Sequence, residues 1–454
     1  MRILRLSVCR LTVKVSSRFD RGALRERTPQ SGLTWRGVLM ATLTMLRKST
    51  PVGGRGATTG ALALAIVLTV FASQVGRAQT FNVIHNFTGG RDGATPYAGL
   101  TVDKAGSLYG TAYNGGTGYG SVYKLQHKGA GWTFNPLYSF AGGSDGANPW
   151  ARVIFGPDGV LYGTTLFGGS ADGTGTLFKL RPQPRACTSA LCPWAKTLIC
   201  NFAQGQCDGA LPRGDLLFDQ TGNLYGTNGG GAGIVYQLKP SGGGWTDNIL
   251  YAFSGPDGAY PNSGVIFDSA GNVYGTAYGG GPFTYGAVFQ LVSSAGWAQN
   301  LIYSFRNLDD GGYPAAGLIF DQAGNLYGAS SNGGTGGGGT IFELSPGVGG
   351  TWTFTVLYSF AGGYQCGPWG ALVMDTVGNL YGTTACDGKY GFGDVFELSP
   401  GSGGWTYTNL YDFTGGTDGA NPISNVLLHP NGKLYGTASA GGSQGLGAVW
   451  EIAP

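Results

Sequence analysis

A short motif recurs seven times along the chain and constrains its fold more than any other feature of the sequence. The motif is a Leu-Tyr-Gly or Val-Tyr-Gly triplet that follows a turn, and its copies begin at Leu108, Leu161, Leu224, Val273, Leu326, Leu380 and Leu434. Successive copies are separated by 53, 63, 49, 53, 54 and 54 residues. A period of this length, with several strands in each repeat, is typical of a propeller or a solenoid.

Each repeat contains four short apolar segments. In the copy around Leu326 they cover 317–321, 325–330, 340–344 and 352–360, and all are rich in Val, Ile, Phe, Tyr and Thr. Gly, Asn, Asp or Pro bound each segment, which is the pattern of β-strands. No part of 80–454 shows the period and the caps of a helix. Four strands per repeat, here called A to D in chain order, predict the blades of a β-propeller.

The two ends of the repeat array predict how the ring closes. Residues 81–87 match strand D of the other repeats, whereas the chain stops at 449–454, just after the seventh strand C. The N-terminal strand would therefore complete the last blade. We predict an all-β fold over 79–454, a single seven-bladed β-propeller of four-stranded blades, closed by the N-terminal strand and monomeric.

Two repeated features have mechanical explanations. The turn between strands A and B reads Asp-x-x-Gly-Asn in four copies, in which Asp can cap the turn and Gly can take a positive φ. Strand D begins with tryptophan in six repeats, at Trp132, Trp194, Trp245, Trp297, Trp352 and Trp405. A tryptophan kept in constant register is interpreted as packing between neighbouring blades. The alternative is a set of stacking platforms for sugars.

The first 78 residues differ in charge from the rest of the chain. They hold 13 of the 27 Lys and Arg residues and two of the 24 acidic residues. The remainder, 79–454, has 14 basic and 22 acidic residues, a formal charge of −8. The basic balance of the whole chain therefore comes from its leader, and we predict no nucleic-acid partner.

The leader has the features of a secretory signal peptide. Basic residues precede the apolar run 61–72, and small residues follow it up to Ala78. We predict cleavage near Ala78, with Met40 or Met45 as the expected true start. The alternative is an uncleaved membrane anchor, but the run is short for about 30 Å of hydrocarbon. We therefore expect an extracytoplasmic protein, secreted or in the cell envelope, with no membrane span after cleavage.

The repeats resemble a known family. Gly-Asn-Leu-Tyr-Gly-Thr-Thr, a Gly-Gly loop and then Gly-x-Val-Phe-x-Leu are similar to the GloVer tandem-repeat family of secreted bacterial proteins, over essentially 80–454. The departures are local, because Gly156 and His429 replace the Asp that ends strand A and 228–230 shortens one loop. The resemblance implies a repeat fold and secretion, and it implies no particular activity.

The cysteines of the repeat region predict disulfides. They are even in number, which favours pairing in an exported protein: Cys187, Cys192, Cys200, Cys207, Cys366 and Cys386. The first two would staple the insertion in the 63-residue repeat, the next two lie close in sequence, and the last two occupy loops that share a face. The alternative, a metal site, lacks histidine partners and a Cys-x-x-Cys unit.

Residues suited to catalysis are scattered along the repeats. His85, His127 and His429 fall in different elements, and no Gly-x-Ser-x-Gly motif precedes a helix. The repeat region has three glutamates, Glu343, Glu397 and Glu451, two of them in equivalent strand C positions. Spacing by a whole blade gives no sign of the two carboxylates that a glycosidase brings within about 5–10 Å. The sequence therefore predicts no catalytic residue.

The most suggestive pattern is Asp-Gly-Ala-x-Pro between strands D and A. Its aspartates, counting one variant copy, are Asp92, Asp145, Asp208, Asp257, Asp310 and Asp418. The D–A and B–C loops share one face around the channel of a propeller, so we expect a ring of aspartates there, joined by Tyr113, Phe167 and Tyr278 of the B–C loops. This mixture suits sugar binding. The competing interpretation is an Asx turn stiffened by proline.

We expect a secreted, non-catalytic binding module for a glycan or another extracellular polymer. The alternatives are an exported polysaccharide hydrolase or lyase and a scaffold for protein contacts, because the fold alone does not decide among them. No cofactor is predicted. Calcium is the one alternative, since six aspartates in a ring would repel one another and favour a divalent ion.

Overall fold

A computed structural model describes residues 79–129, 131–183, 194–202 and 207–453. These residues form 28 β-strands arranged in seven antiparallel sheets of four strands. The other regular elements are three 3-10 helices of one turn, Gly143–Asp145, Ser293–Ala295 and Val348–Gly350. The prediction of an all-β, seven-bladed propeller is confirmed. The predicted signal peptide lies outside the described residues.

In each of the first six blades the chain runs from the inner strand A to the outer strand D. Blade 1 contains β2 (Thr101–Val102), β3 (Leu108–Ala112), β4 (Ser121–Lys128) and β5 (Gly131–Ser139). Blade 2 contains β6 (Ile154–Phe155), β7 (Leu161–Thr165), β8 (Thr176–Arg181) and β9 (Ala195–Asn201). Blade 3 contains β10 (Leu217–Phe218), β11 (Leu224–Asn228), β12 (Ile234–Ser241) and β13 (Gly244–Ala252). Blade 4 contains β14 (Ile266–Phe267), β15 (Val273–Ala277), β16 (Ala287–Val292) and β17 (Ala298–Ser304). Blade 5 contains β18 (Ile319–Phe320), β19 (Leu326–Ser330), β20 (Thr340–Pro346) and β21 (Trp352–Ser359). Blade 6 contains β22 (Val373–Met374), β23 (Leu380–Thr383), β24 (Asp394–Gly401) and β25 (Gly404–Asp412).

The seventh blade contains strands from both ends of the chain. It consists of β26 (Leu427–Leu428), β27 (Leu434–Ala438), β28 (Ala448–Ala453) and, as its outer strand, β1 (Thr80–Asn86). Strand β1 pairs antiparallel with β28. Its side chains also contact the neighbouring blades, because the Phe81 ring stacks on Tyr411 of blade 6 at 3.6 Å between centroids and the His85 ring on Phe134 of blade 1 at 4.1 Å.

The glycine of each triplet makes room for an aromatic ring on the neighbouring strand. Gly328 of β19 lies opposite Phe342 of β20, and a Cβ atom at position 328 would come within 2.5 Å of the Phe342 Cζ atom. The same close approach recurs in every blade, where a Cβ atom on the glycine would lie 2.7 Å or less from an atom of the facing aromatic side chain. The pairs are Gly110–Tyr123, Gly163–Phe178, Gly226–Tyr236, Gly275–Phe289, Gly328–Phe342, Gly382–Phe396 and Gly436–Trp450. Only a residue without a side chain fits beneath these rings.

The other two residues of the triplet fix the core and the turn. Leu326 is fully buried, and the Tyr327 hydroxyl donates a hydrogen bond of 3.3 Å to Asp321 Oδ2 in the A–B turn. Asp321 Oδ1 accepts the backbone N–H groups of Ala323 and Asn325 at 2.8 and 2.9 Å. The predicted capping role of this aspartate is therefore confirmed.

The tryptophans of strand D pack against the preceding blade. Five of them meet the triplet tyrosine of that blade edge to face, with centroids 5.7–6.3 Å apart, in the pairs Trp132–Tyr435, Trp194–Tyr109, Trp245–Tyr162, Trp352–Tyr274 and Trp405–Tyr327. The sixth, Trp297, packs on the cluster that contains Tyr225. The interpretation of these tryptophans as packing residues between blades is confirmed.

Buried hydrogen bonds add to the contacts between blades. In five blades the threonine that follows the triplet donates to a backbone carbonyl at the start of the next blade, in the pairs Thr111–Ala151, Thr227–Ser263, Thr276–Ala316, Thr383–Ser424 and Thr437–Ala98. Their lengths are 2.8–3.2 Å. These bonds hold the segment before each strand A against the preceding strand B, and so fix the wall of the central channel.

Two of the three predicted disulfides are formed. Cys200 is bonded to Cys207 and Cys366 to Cys386, with Cα atoms 6.0 and 4.4 Å apart. Cys187 and Cys192 lie outside the described residues.

In the part of the chain that the structure describes, no helix has the length and hydropathy needed to span a bilayer.

The triplet glycine provides a direct test of this packing. We expect Gly328→Ala to lower the free energy of unfolding by about 1–3 kcal/mol, because the added methyl group overpacks the Phe342 ring. Gly403→Ala is the matched control, since a Cβ atom there meets nothing within 4 Å, and we expect a change within about 0.5 kcal/mol. Equal effects of the two substitutions in urea unfolding would contradict the proposed fit.

Candidate functional site

The predicted aspartates are held by hydrogen bonds within their own loops. Asp257 Oδ1 accepts the backbone N–H and the hydroxyl of Ser254, both at 2.9 Å, and Asp257 Oδ2 accepts the Tyr251 hydroxyl at 2.5 Å. Asp145, Asp310 and Asp418 likewise accept a backbone N–H and a strand-D tyrosine hydroxyl, whereas Asp92 contacts Thr88 and His85. Asp208 differs, because its backbone N–H donates to Asp247. None of the six is among the residues that line the central cavity.

Such contacts lower the pKa of two of the loop aspartates, Asp257 and Asp418. Burial alone would raise the pKa of Asp257 and of Asp418, but the hydrogen bonds from tyrosine, from Ser254 or Thr414 and from the backbone outweigh it and lower both pKa values. The Asx-turn interpretation thus accounts for the geometry of these carboxylates.

The structure brings two of the three predicted aromatic residues to the channel mouth. The Tyr113 ring contacts Tyr97 and Trp150, with centroids 5.2 and 5.7 Å away. The Tyr278 ring contacts Tyr313 and Trp369, at 5.2 and 6.0 Å. We call these two sets the first and second aromatic groups. Phe167 lies on the same face and is partly exposed, but it belongs to neither group.

A cavity of about 380 Å³ lies at the centre of the ring. In all seven blades it is lined by the first and third residues after the proline of the D–A loop, namely Tyr97 and Gly99, Trp150 and Arg152, Arg213 and Asp215, Asn262 and Gly264, Ala315 and Gly317, Trp369 and Ala371, and Ile423 and Asn425. The second and fourth residues after the proline, such as Ala151 and Val153, are more deeply buried, and Ala151 also reaches the cavity wall. This alternation follows from the extended backbone, whose successive side chains point to opposite sides.

The repeated motifs do not point to this lining, because its first position does not repeat. At the first position after the proline the chain has Tyr, Trp, Arg, Asn, Ala, Trp and Ile in turn. The surrounding residues repeat closely. A position that lies at a fixed distance from the proline and does not repeat is therefore the sequence feature that could have identified the lining. Such a position has no uniform role in building the blades.

A polar network crosses the cavity. The Arg152 Nε atom lies 2.8 Å from Asp215 Oδ2, and the Arg152 backbone N–H donates to Asp215 Oδ1 at 3.1 Å. Asn425 of blade 7 donates to Asp215 of blade 3 at 2.9 Å, and its Oδ1 atom accepts the Ala371 N–H at 2.6 Å. The two blades stand on opposite sides of the ring, so the network spans the channel. The Asp215 carboxylate is fully engaged by these partners.

The face that holds the cavity mouth carries most of the exposed apolar side chains. Of the thirteen large hydrophobic residues exposed in the described part of the chain, eight lie in D–A and B–C loops: Tyr119, Phe167, Tyr260, Phe283, Leu308, Tyr364, Tyr390 and Phe392. The turns of the opposite face contribute Val348 and Val377. Exposed apolar side chains are therefore concentrated on the face that holds the cavity mouth.

A buried carboxylate, Asp394, lies beside this face and was not singled out in the sequence. It accepts the hydroxyls of Thr384 and Tyr407, both at 2.6 Å, and is almost completely buried. Burial raises the pKa of Asp394 to about 6, and the nearby carboxylates of Asp387 and Asp412 act in the same direction. The signal was an Asp at the start of strand C, where the other repeats have Ser, Thr, Ala or Ile.

The described residues contain no group of three or more His, Cys, Asp or Glu side chains placed to hold a metal ion. The histidines are also apart from one another. His85 contacts Asp92 at 3.2 Å, His127 packs on Trp132, and His429 Nδ1 accepts the Asn431 N–H in an A–B turn. The candidate site is therefore the cavity and its mouth, which present aromatic rings, two arginines, one carboxylate and several amides.

A sequence-family profile matches most of the chain. The profile of the Gloeobacter/Verrucomicrobia repeat matches residues 68–282 and 264–454. The family resemblance drawn from the repeated motifs is thereby confirmed. Among curated proteins, none matches the sequence at a significant level.

Comparison with solved structures gives distant matches. One is the extracellular domain of a protein from B. thetaiotaomicron described as a one-component system, with 10% identity and a TM-score of 0.48, and the match covers 81% of this chain and 39% of that one. Two proteins described as gluconolactonases, one of them from Xanthomonas campestris, each show 14% identity and a TM-score of 0.40. These two matches cover 84% and 79% of this chain and 94% and 97% of theirs.

The buried Asp394 predicts a pH-dependent stability. Because its pKa is raised on folding, the group favours the folded state in its protonated form, and this contribution is lost as the pH rises through about 6. We expect Asp394→Asn to raise the free energy of unfolding at pH 7.5 by about 1–3 kcal/mol and to have no such benefit near pH 4. Chemical unfolding at the two pH values measures this difference.

Asp321→Asn is the control for this experiment. Burial would raise the pKa of Asp321, but its hydrogen bonds from Asn325 and Ala323 lower it, so the ionised form favours the folded state. That contribution is present above the ordinary pKa of the carboxyl and is lost as the pH falls through its lowered value. We expect Asp321→Asn to destabilise the protein at pH 7.5. The same sign of effect for both substitutions would refute the assignment for Asp394.

Proposed function

The chain belongs to the Gloeobacter/Verrucomicrobia repeat family, and we propose that it is an exported, non-catalytic module that binds a carbohydrate polymer at the mouth of its channel. The observation that carries the proposal is the ring of non-repeating residues around the cavity. Every blade supplies one at the first position after its loop proline, and the blades are otherwise closely alike. Packing of the blades explains the repeated residues but does not explain this variety.

The composition of the mouth supports a carbohydrate ligand. The first aromatic group comes from blades 1 and 2, and the second from blades 4, 5 and 6, so the two flank the cavity from different sides. The flat faces of such rings pack on the C–H faces of sugars, and neighbouring amides serve the hydroxyl groups. Gln365 and Asn262 provide such amides at the mouth.

The disulfide between the D–A and B–C loops of blade 6 stabilises one side of this mouth. Cys366 is bonded to Cys386, and the Trp369 indole N–H donates to the Gln365 carbonyl at 3.2 Å. The Gln365 side chain in turn lies 3.5 Å from the Tyr278 hydroxyl. Residues held in this way are pre-organised for a ligand, which lowers the entropy lost on binding.

Binding is better supported than hydrolysis or elimination. Asp215 is the one carboxylate among the described residues that line the cavity, and it is engaged by Arg152 and Asn425. Glu343, Glu397 and Glu451 lie on strand C of three different blades. Their carboxylates accept hydrogen bonds from Ser345, Ser399 and Lys433, respectively. A two-carboxylate glycosidase mechanism needs a convergent pair, which these positions do not offer.

Export is part of the proposal. The apolar run of the leader and the disulfides Cys200–Cys207 and Cys366–Cys386 support it, because structural disulfides persist in oxidising compartments. A carbohydrate polymer outside the cytoplasm is a ligand that such a protein would meet.

The proposal is tested by screening the purified full-length chain against a glycan array and measuring the affinity for any ligand found. We expect Trp150→Ala and Trp369→Ala each to weaken binding tenfold or more, which is about 1.4 kcal/mol. Val377→Ala, in an exposed turn of the opposite face, is the control and should leave the affinity unchanged. Thermal unfolding of each variant excludes a loss of folding.

Three results would count against the proposal. Binding that survives both tryptophan substitutions would place the ligand elsewhere. Release of shortened sugars would favour the hydrolase or lyase alternative. An absence of glycan binding, with a specific protein captured through the exposed aromatic residues of the loop face, would favour the scaffold alternative.

A further inference from the structure

Arg213 is a cation without an acidic partner at the centre of the site. It follows the proline of its D–A loop and lines the cavity, and its guanidinium carbon lies 5.3 Å from the centre of the Trp150 ring. It takes part in none of the ion pairs of the described residues, whereas the neighbouring Arg152 is paired with Asp215. Cation–π contact orients the guanidinium but does not neutralise its charge.

The charge at the mouth is opposite to that of the rest of the domain. The charged residues that line the cavity are Arg152, Arg213 and Asp215, which leaves one net positive charge. The chain from residue 79 onward has a formal charge of −8. A half-buried, unpaired cation loses part of its hydration, and a bound anion would compensate for that loss.

Arg213 lies within electrostatic reach of both aromatic groups. Burial raises the pKa of Tyr113 and of Tyr278, and the Arg213 charge partly offsets this rise in both. Tyr113 belongs to the first group and Tyr278 to the second. A sugar ring resting on Trp150 or its neighbours would therefore present its substituents close to the guanidinium.

We propose that the mouth binds a uronate residue of an acidic polysaccharide, with Arg213 receiving its carboxylate and the first aromatic group receiving its ring. The inference rests on the proposed function and narrows its ligand class. Arginine matches a planar carboxylate with two parallel N–H donors, and such charge-assisted bonds are about twice as strong as neutral ones. An acidic peptide would also offer carboxylates, but the flanking aromatic rings and amides favour a sugar.

The cavity size agrees with a ligand of this kind. Its volume of about 380 Å³ lies near the lower end of the range of roughly 300–1,000 Å³ for small-molecule pockets. One or two sugar residues can therefore enter, while the rest of the polymer lies across the exposed aromatic residues of the loop face. The Arg152–Asp215–Asn425 network crosses the channel and limits how deep the ligand reaches.

Uronate oligomers and their methyl esters form a suitable pair of probes, because they differ in charge while keeping the same sugar ring. We would titrate the full-length chain with oligomers of galacturonate, glucuronate and mannuronate and with each methyl ester, following tryptophan fluorescence. We expect at least one acid form to bind tenfold or more tightly than its ester, with an affinity that falls as salt is added.

Variants of Arg213 then identify the residue responsible. Arg213→Gln should abolish the preference for the acid form, and Arg213→Lys should keep part of it. Arg306→Gln is the matched control, since Arg306 is an exposed arginine in another D–A loop and should leave the preference unchanged. Unchanged thermal unfolding of Arg213→Gln would show that the loss is not one of folding.

The outcomes separate the inference from the proposed function. Equal binding of acid and ester forms, weakened by Trp150→Ala and not by Arg213→Gln, would overturn the inference and leave carbohydrate binding intact. Exclusive binding of sulfated polysaccharides or of acidic peptides would overturn it in favour of that ligand. Failure of every neutral and acidic glycan to bind would overturn both.

Discussion

The fit of an aromatic ring over bare backbone is the contact on which the rest of the propeller depends. In each blade the ring on strand C rests on the triplet glycine of strand B, so these two strands can approach only in one register. That register places the triplet leucine in the core and the triplet tyrosine beside the A–B turn. The tyrosine in turn is the surface on which the tryptophan of the next blade packs. One small residue thereby couples the interior of a blade to its neighbour.

The repeated part of the structure could be predicted from the sequence, because each repeated residue has the same physical role in every blade. The triplets, the Asp-x-x-Gly-Asn turns and the tryptophans such as Trp352 led to the strands, their number and their packing. The pairing of Cys366 with Cys386 followed from the fact that their loops share a face. The expected ring of seven four-stranded blades is the observed one.

The site could be predicted only in part, for two physical reasons. The sequence showed Asp257 in a loop, but it did not show that the hydroxyls of Tyr251 and Ser254 would donate hydrogen bonds to its carboxylate. It also drew attention to Tyr113, Phe167 and Tyr278 together, although only the first and third meet aromatic partners at the cavity. Arg213 and Asp215 were passed over because neither belongs to a repeated pattern. Their importance comes from the convergence of seven blades on one axis, which is a property of the closed ring.

The alternation along the segment after each loop proline has a consequence for how such proteins diversify. One set of side chains is buried in the blade, and the backbone there is held by hydrogen bonds such as that from the Thr111 hydroxyl to the Ala151 carbonyl, while the other set lines the cavity. The side chains that line the channel can thus change by single substitutions, without insertions and without disturbing the packing of the blades. Gene duplication or recombination of one whole repeat would carry its two axial residues with it. A blade is then a heritable unit of channel lining, and exchange of blades can alter the chemistry of the channel within an unchanged architecture.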